Sequence, residues 1–219
     1  MRLRAIKGAK EKIASYSEYV QDIQDTRREE DVEKLSLPKR FDRTKQLHIE
    51  IGMGKGQFIH TLASRHPEIN YLGIERFDSV LYRALEKVID QPLDNLFLLR
   101  MDAKYINAIF AEVKVDQIYL NFSDPWPKAR HEKRRLTHPS FLKQYEELLK
   151  EDGVLELKTD NRLLFEYSKE QMQDYPMDLI FVTEDLHNEK VENIQTEFEE
   201  KFAKEGKNIY KIRAKFRRT

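Results

Sequence analysis

The sequence predicts an α/β fold with a doubly wound, mostly parallel Rossmann-like sheet, in which strands and helices alternate along the chain. Three observations support this prediction. An alternating apolar run at 47–51 leads directly into a glycine-rich turn. Later short apolar runs are separated by segments with helical spacing. The last two runs, at 179–183 and 209–216, have no periodic helix between them, which predicts an antiparallel C-terminal edge strand.

The composition limits the classes of function. The 39 basic and 39 acidic residues cancel, so only the distribution of charge bears on a polyanionic partner, and basic runs lie at 2–12, 128–135 and 211–218. The absence of cysteine excludes disulfides, iron–sulfur clusters and thiolate zinc sites, and fits a reducing cytosol. No secretory signal or membrane-length apolar run is present. We therefore expect a cytoplasmic protein with no membrane partner. The sequence leaves open whether it is a monomer or homodimer.

The chain is expected to contain a polar N-terminal arm, 1–46, with a short helix near 14–21, and one domain, 47–219. Within the domain, two-residue alternation or short apolar runs predict strands, three- to four-residue spacing predicts helices, and glycines and prolines mark the boundaries. The predicted elements are strand 47–51, helix 58–65, strand 71–75, helix 80–89, strand 96–99, helix 103–110, strand 118–122, helix 141–149, strand 154–158 and helix 162–173.

The first four predicted strands all end near acids or glycines. These residues are Glu50, Gly52, Gly54 and Gly56 for the first strand, Glu75 for the second, Asp102 for the third and Asp124 for the fourth. Each of them alone is explained by a capped helix or a turn. Together they favour a ligand site, because the carboxyl ends of parallel strands share one edge of a sheet. Glycines admit a ligand to the main chain, and an acid about 20 residues later can accept ribose hydroxyls.

The glycine turn favours S-adenosylmethionine over a dinucleotide as the cofactor. A dinucleotide site requires G-x-G-x-x-G, whereas here the third glycine is Gly56 and position 57 is Gln57. Glu50, just before the turn, would repel a pyrophosphate but suits the cationic methionyl group of S-adenosylmethionine. No pattern in the sequence indicates a metal ligand, and His131 is equally consistent with a lone surface histidine.

The segment Asn121–Arg135 has the most unusual composition in the chain. Asp124 is followed by Pro125 and Pro127, which bracket Trp126, the only tryptophan. The prolines stiffen the main chain around Asp124 and Trp126. The cationic run that follows suits contacts with phosphates while a nucleobase is held beside it. The alternative is a surface turn after a strand, with Trp126 packed beneath the loop.

Two sets of motifs resemble known families. Ile49–Gly56 with Gly73–Glu75 resembles class I methyltransferases, and Leu120–Lys128 with Arg130–Arg135 resembles the bacterial tRNA (guanine-N7)-methyltransferases, which modify a guanine in the tRNA variable loop. Shorter similarities and departures accompany these motifs. The similarities are Met1–Arg4, Phe141–Leu142, Lys158–Asn161 and Thr196–Glu199, and the departures are Met53, where a small residue is common, and Phe198, where tyrosine is common.

The resemblance implies transfer of a methyl group from S-adenosylmethionine to N7 of guanine at position 46 of tRNA, with tRNA as the partner. Because N7 carries a lone pair and no hydrogen, no general base is required, and we expect Asp124 to be the catalytic residue by positioning the base. The implied site residues fall into three groups. They are Glu50, Gly52, Gly54, Glu75, Asp102 and Asp124 for the cofactor; Lys128, Asp160, Thr196, Glu197, Phe198 and Glu199 for the guanosine; and Arg130, His131, Glu132, Lys133, Arg134 and Arg135 for the RNA.

Several alternatives remain open from the residues themselves. Thr196-x-x-Glu199 is also a helix capping box, and Asp160–Asn161 precedes a helix where an N-cap is expected. A methyltransferase for another RNA base, an NAD-dependent oxidoreductase and a non-catalytic RNA-binding module are competing functions. The last of these leaves Glu50, Glu75 and Asp102 without a role, because acids repel RNA.

Overall fold

A computed structural model describes residues 5–23 and 33–217. The motif match at 1–4, the charged residues 24–32 and the end of the last basic run at 218 lie outside the described residues. The chain divides into two compact units, residues 1–114 and 115–219, which are described in turn. None of the helices in the described ranges has the length and apolar character needed to cross a membrane.

The first unit has four parallel strands, ordered β1-β4-β3-β2. Its elements are α1 Ala9–Ala14, β1 Val20–Asp22, β2 Leu47–Ile51, α2 Gln57–Arg65, β3 Asn70–Glu75, α3 Asp78–Asp90, β4 Leu96–Arg100 and α4 Ile106–Phe110. Every residue of β2 and β3 is buried, as expected of parallel strands covered on both faces. The strands predicted from apolar runs in this unit are confirmed.

The described part of the N-terminal arm packs onto this unit. The structure differs from the helix predicted near 14–21: α1 ends at Ala14 and β1 pairs with β4, because pairing on an existing strand outweighs weak local helical spacing. Ile13 and Val20 are buried. The guanidinium of Arg40 donates to the carbonyl oxygens of Glu18 and Leu96 at 2.5 and 2.9 Å, which ties the arm to β4. The domain boundary at 46 stays a prediction.

The second unit contains parallel and antiparallel strands, ordered β5-β6-β8-β7. Its elements are β5 Val115–Asn121, a 3-10 helix Ala129–Arg134, α5 Pro139–Leu148, β6 Leu149–Thr159, α6 Arg162–Asp174, β7 Met177–Thr183, α7 Glu197–Lys204 and β8 Tyr210–Phe216. β5 and β6 are parallel, and β8 runs antiparallel to both β6 and β7. The mostly parallel α/β class with an antiparallel C-terminal edge strand is confirmed, with β7 at the edge and β8 inside it.

The cations of β8, which belong to the basic run at 211–218, pair with acids of the neighbouring strand β6. Lys211 is buried and its Nζ lies 2.8 Å from Glu156 Oε1, while Arg213 Nε lies 3.4 Å from Glu156 Oε2. Lys215 Nζ lies 3.3 Å from Asp152 Oδ1. Because β8 lies between two strands, its cations meet acids that protrude from β6. Much of this basic run is therefore paired within the protein.

Candidate active site

The turn after β2 leaves its main chain open to a ligand. Gly52, Gly54 and Gly56 have φ values of 76°, 61° and 72°, in the left-handed region that strains residues with a side chain. No atom of the described residues would lie within 4 Å of a Cβ added at Gly52 or Gly54. Gly56 is the N-cap of α2, so N–H groups at the start of this helix follow the turn at once. The turn therefore fits the close approach of a nucleoside cofactor.

Glu75 connects this turn to the end of β3. Its Oε2 accepts the Gly54 N–H at 3.2 Å. Its Oε1 accepts the N–H groups of Arg76 and Phe77 at 2.8 and 2.9 Å. The carboxylate is thus oriented by three main-chain donors from two segments. An acid held in this way beside an open glycine turn suits the hydroxyls of a ribose.

The other predicted acids of the first unit differ in environment. Glu50 is buried within β2, opposite Gly73 of β3. Asp102 follows β4 and accepts the Lys104 N–H at 3.0 Å. Its Oδ2 lies 3.2 Å from Nη1 of Arg76, the residue after Glu75. The ion pair joins the ends of β3 and β4. Arg76 was not predicted from the sequence. The only indication is that a basic residue directly follows Glu75, the acid at the end of β3.

Met53 fills the space between the glycine turn and β3. It is 6% exposed, and its N–H donates to the Ile74 carbonyl at 3.0 Å. A Cβ added to Gly73 would lie 2.2 Å from Met53 Sδ. The larger side chain at position 53, which departs from the family pattern, is accommodated because residue 73 has no side chain.

Replacing Gly73 by alanine is expected to lower the free energy of unfolding by about 1–3 kcal/mol, because the new methyl group overlaps Met53 Sδ. Met53→Ala alone should cost about 2–5 kcal/mol by leaving a cavity. In the double variant, the methyl group added at position 73 can use the vacated space, so the combined loss should be smaller than the sum. Urea denaturation of the four proteins, followed by circular dichroism, measures this coupling.

The matched control pairs Gly73→Ala with Met172→Ala. Met172 is fully buried in α6, in the other unit, so these two losses should add to within about 0.5 kcal/mol. Strictly additive losses for the Gly73 and Met53 pair would contradict the proposed packing.

In the second unit, the loop after β5 presents Asp124 on a strained main chain. Asp124 is exposed. Phe122 and Trp126, on either side of it, have φ values of 50° and 41°, in a region where bulky residues are rarely found. Among the described residues, Ala111 is the only other non-glycine residue with positive φ. Strain of this kind persists where surrounding structure enforces it, and it concentrates at functional sites.

Trp126 is held by the basic segment that follows it. The guanidinium carbon of Arg134 lies 4.8 Å from the centroid of the Trp126 ring, and the His131 ring meets it edge-on at 5.6 Å. Arg135 Nη2 donates to the Trp126 carbonyl at 3.1 Å. These contacts support a structural role for Trp126 within the loop.

The residues predicted to contact RNA separate by exposure. Arg130, Lys133 and Arg134 are exposed, as is Lys128, which precedes the 3-10 helix. The remaining three, His131, Glu132 and Arg135, are half-buried. The assignment of all six to RNA stays a prediction, and the structure identifies the first three as the accessible cations.

Lys158 and Glu199 form a buried ion pair, with side chains 1% and 0% exposed and 2.9 Å between Nζ and Oε2. Lys158 Nζ also donates to the Ile194 carbonyl at 2.8 Å. Glu199 Oε1 accepts from the amide of Asn193 and lies 3.0 Å from His187 Nε2. Glu199, predicted to contact the guanosine, is therefore fully engaged inside the protein, and its substrate role stays a prediction.

The two members of this pair respond differently to burial. Burial lowers the pKa of Lys158, and the negative charge of Glu199 offsets this effect only in part. Burial opposes ionisation of Glu199 as well. The positive charge of Lys158 and the hydrogen bonds from Lys158, Asn193 and His187 nevertheless hold the pKa of Glu199 below its ordinary value. Glu199 is therefore ionised in the folded protein at neutral pH.

The remaining predicted substrate residues lie around α7 and the end of β6. Thr196 Oγ1 accepts the Glu199 N–H at 3.0 Å, which is the main-chain half of the expected capping box. Glu197 and Phe198 are exposed, and the Phe198 ring stacks on Phe122 with centroids 6.2 Å apart. The structure thus brings the side chain of one predicted substrate residue against the loop that carries Asp124.

Asp160, at the end of β6, pairs with a lysine and does not cap α6. Lys207 Nζ is 3.8 Å from Asp160 Oδ2 and 4.3 Å from the centroid of the Phe202 ring. The N-cap role belongs to Asn161, whose Oδ1 accepts the Leu164 N–H at 2.9 Å. The substrate role that the resemblance gives Asp160 stays a prediction.

Comparisons with known proteins give consistent matches. A family model described as "Putative methyltransferase" matches residues 44–212. The chain is 45% identical over 218 residues to a tRNA (guanine-N(7)-)-methyltransferase of Bacillus cytotoxicus, covering 99% of this chain and 98% of that protein. It is 52% identical over 177 residues to a protein of the same name from Macrococcus caseolyticus, covering 80% and 84%.

Solved structures show the same fold at low sequence identity. An antibiotic-related methyltransferase matches with a TM-score of 0.60 and 22% identity, covering 80% of this chain and 88% of the other. The 16S rRNA methyltransferase KamB matches with a TM-score of 0.61 and 12% identity, covering 82% and 90%. The chain therefore has the Rossmann-like methyltransferase fold that the sequence predicts.

Proposed function

The chain belongs to the tRNA (guanine-N7)-methyltransferase family, and on that premise we propose that it methylates the guanine at position 46 of the variable loop, with Asp124 positioning the base. It is an S-adenosylmethionine-dependent enzyme that acts on tRNA. The cytoplasmic location, the choice between monomer and homodimer, and a reaction without a metal stay predictions.

The first unit offers the residues that would hold S-adenosylmethionine, which supplies a methyl group bound to a sulfonium. Glu75 has a fixed carboxylate for ribose hydroxyls. The open main chain at Gly52 and Gly54 admits a ligand. Glu50 and Asp102 complete the acidic set, with Asp102 held in place by Arg76.

Guanine N7 requires no deprotonation. It carries a lone pair and no hydrogen, so the protein's task is to place N7 in line with the methyl group and to exclude water. A carboxylate can accept hydrogen bonds from the N–H donors of guanine. It also favours the positive charge that the purine acquires as N7 is methylated. These requirements match an acid used for positioning.

The observation that supports Asp124 in this role is its presentation. Its carboxylate is exposed and lies between Phe122 and Trp126, two bulky residues with left-handed backbone conformations. The Phe122 N–H donates to the Lys158 carbonyl at 2.8 Å, which fixes this side of the loop to β6. A pre-ordered acceptor of this kind loses little freedom when a base binds.

Incubation with methyl-labelled S-adenosylmethionine and an unmodified tRNA transcript, followed by nucleoside analysis, is expected to give label only in 7-methylguanosine. A transcript with adenine in place of guanine at position 46 is the matched control and should remain unlabelled. Label in any other nucleoside of the first transcript, or in the control, would contradict the proposed substrate position.

A further inference from the structure

We propose that Arg135 is a positioning residue that sets the conformation of the Asp124 loop, and that it does not bind an RNA phosphate. The proposal rests on the proposed function of Asp124. It separates Arg135 from the exposed cations Arg130, Lys133 and Arg134, which precede it in the same basic run.

The first line of support is the hydrogen bonding of the guanidinium. Arg135 Nε donates to the Pro125 carbonyl at 3.2 Å, and Nη2 donates to the Trp126 carbonyl at 3.1 Å. The two acceptors belong to successive residues directly after Asp124. A planar guanidinium fork can bridge two such carbonyls at once, whereas a lysine ammonium is a compact point donor on a flexible stem.

The second line of support is the surface on which Arg135 rests. Its guanidinium carbon lies 4.2 Å from the centroid of the Tyr167 ring, the distance of a close cation–π contact. Tyr167 belongs to α6, so a regular helix supports the arginine. Arg135 itself is half-buried. The guanidinium N–H groups are thus held towards the Asp124 loop by contact with a residue of a regular helix.

The third line of support is the strain that these bonds restrain. Trp126 has a φ of 41°, a strained conformation for a bulky residue that persists only when its surroundings hold it. Arg135 binds the carbonyl on each side of the Trp126 Cα. Without this arginine, the peptide after Asp124 can relax, and the carboxylate moves with it.

The test compares Arg135→Ala and Arg135→Lys with Arg130→Ala in the full-length protein. A shift of about 1 Å in a reacting arrangement costs up to about 10²-fold in rate, so both Arg135 variants are expected to lower kcat for methyl transfer by about 10- to 100-fold. The slope of log tRNA affinity against log salt should stay at the wild-type value for both.

Arg130→Ala should behave differently, because loss of one phosphate contact changes the salt slope by about 0.7–0.9 and raises KM for tRNA. The proposal is overturned if Arg135→Lys restores the wild-type kcat, or if Arg135→Ala reduces the salt slope as Arg130→Ala does. A phosphate contact would tolerate lysine, whereas a two-carbonyl bridge would not.

A second pair of variants keeps the test decisive if Arg135→Ala does not fold. Tyr167→Leu removes the aromatic support but leaves the arginine, and should lower kcat, whereas Tyr167→Phe retains the ring and should restore it. Equal activity of Tyr167→Leu and wild type would overturn the proposal. If wild-type protein itself produces no 7-methylguanosine, the proposed function fails, and that result is distinguishable from a failure of the Arg135 proposal alone.

Discussion

The variant Asp124→Ala is expected to lose about 10²–10³-fold in kcat for methyl transfer, the loss typical of removing a preorganised contact to the reacting group. Asp124→Asn should lose nearly as much, because an amide retains one acceptor but also presents an N–H₂ group to the guanine donors. Single-turnover rates with saturating enzyme and tRNA measure this step directly.

Binding of tRNA should respond differently from turnover. A carboxylate repels phosphates, so its removal is expected to leave the dissociation constant for tRNA unchanged or slightly lower. The control is Asp152→Ala, which removes an acid of the same unit. The Asp152 side chain is 99% exposed and pairs with Lys215 at the surface, and such a pair contributes about 0–1 kcal/mol to stability. Equal losses of turnover and tRNA affinity in Asp124→Ala would rule out the positioning role.

Replacing Lys158 by methionine is expected to lower the free energy of unfolding by about 3–5 kcal/mol, because it removes the lysine partner of the Glu199 carboxylate in the interior. The double variant with Glu199→Leu should recover part of this loss, since an apolar pair of similar volume is often nearly neutral. Chemical denaturation of the four proteins in the cycle provides the coupling energy.

The pH dependence distinguishes the charge effect from packing. The pKa of Glu199 is lower in the folded protein than its ordinary value of 4.5, so between these two values the unfolded chain binds more protons. The stabilisation from Glu199 is therefore complete above pH 4.5 and is lost as the pH falls through the folded pKa. The difference in free energy of unfolding between wild type and Lys158→Met should therefore become smaller as the pH falls. A constant difference would mean that packing alone causes the loss.

Local patterns in the sequence predicted the strands and the acids at their ends. Strands such as β2 and β3 are buried on both faces and so appear as short apolar runs. Glu75 is the last residue of β3, and Asp102 is the first acid after β4. These features depend on neighbours in sequence, which is why periodicity was sufficient to locate them.

Features that depend on distant partners were not predictable in this way. The basic run at 211–218 gave no indication that its cations are paired, because the acids that meet them lie on β6, which is distant in sequence. In the sequence, Arg135 cannot be distinguished from Arg130. The difference depends on Tyr167, which lies on α6 and contacts the Arg135 guanidinium. The ion pair of Glu199 with Lys158 was not predictable, because the two residues lie on different elements that are far apart in sequence.

Lys158 also joins two parts of the second unit that are far apart in sequence. Its carbonyl accepts the Phe122 N–H at 2.8 Å, while its ammonium holds Ile194 and Glu199. The loop that carries Asp124 and the segment that carries Phe198 are thus anchored on one residue, and we expect them to open together. If both segments contact the guanosine as proposed, a ligand that orders one of them is expected to lower the entropic cost of ordering the other.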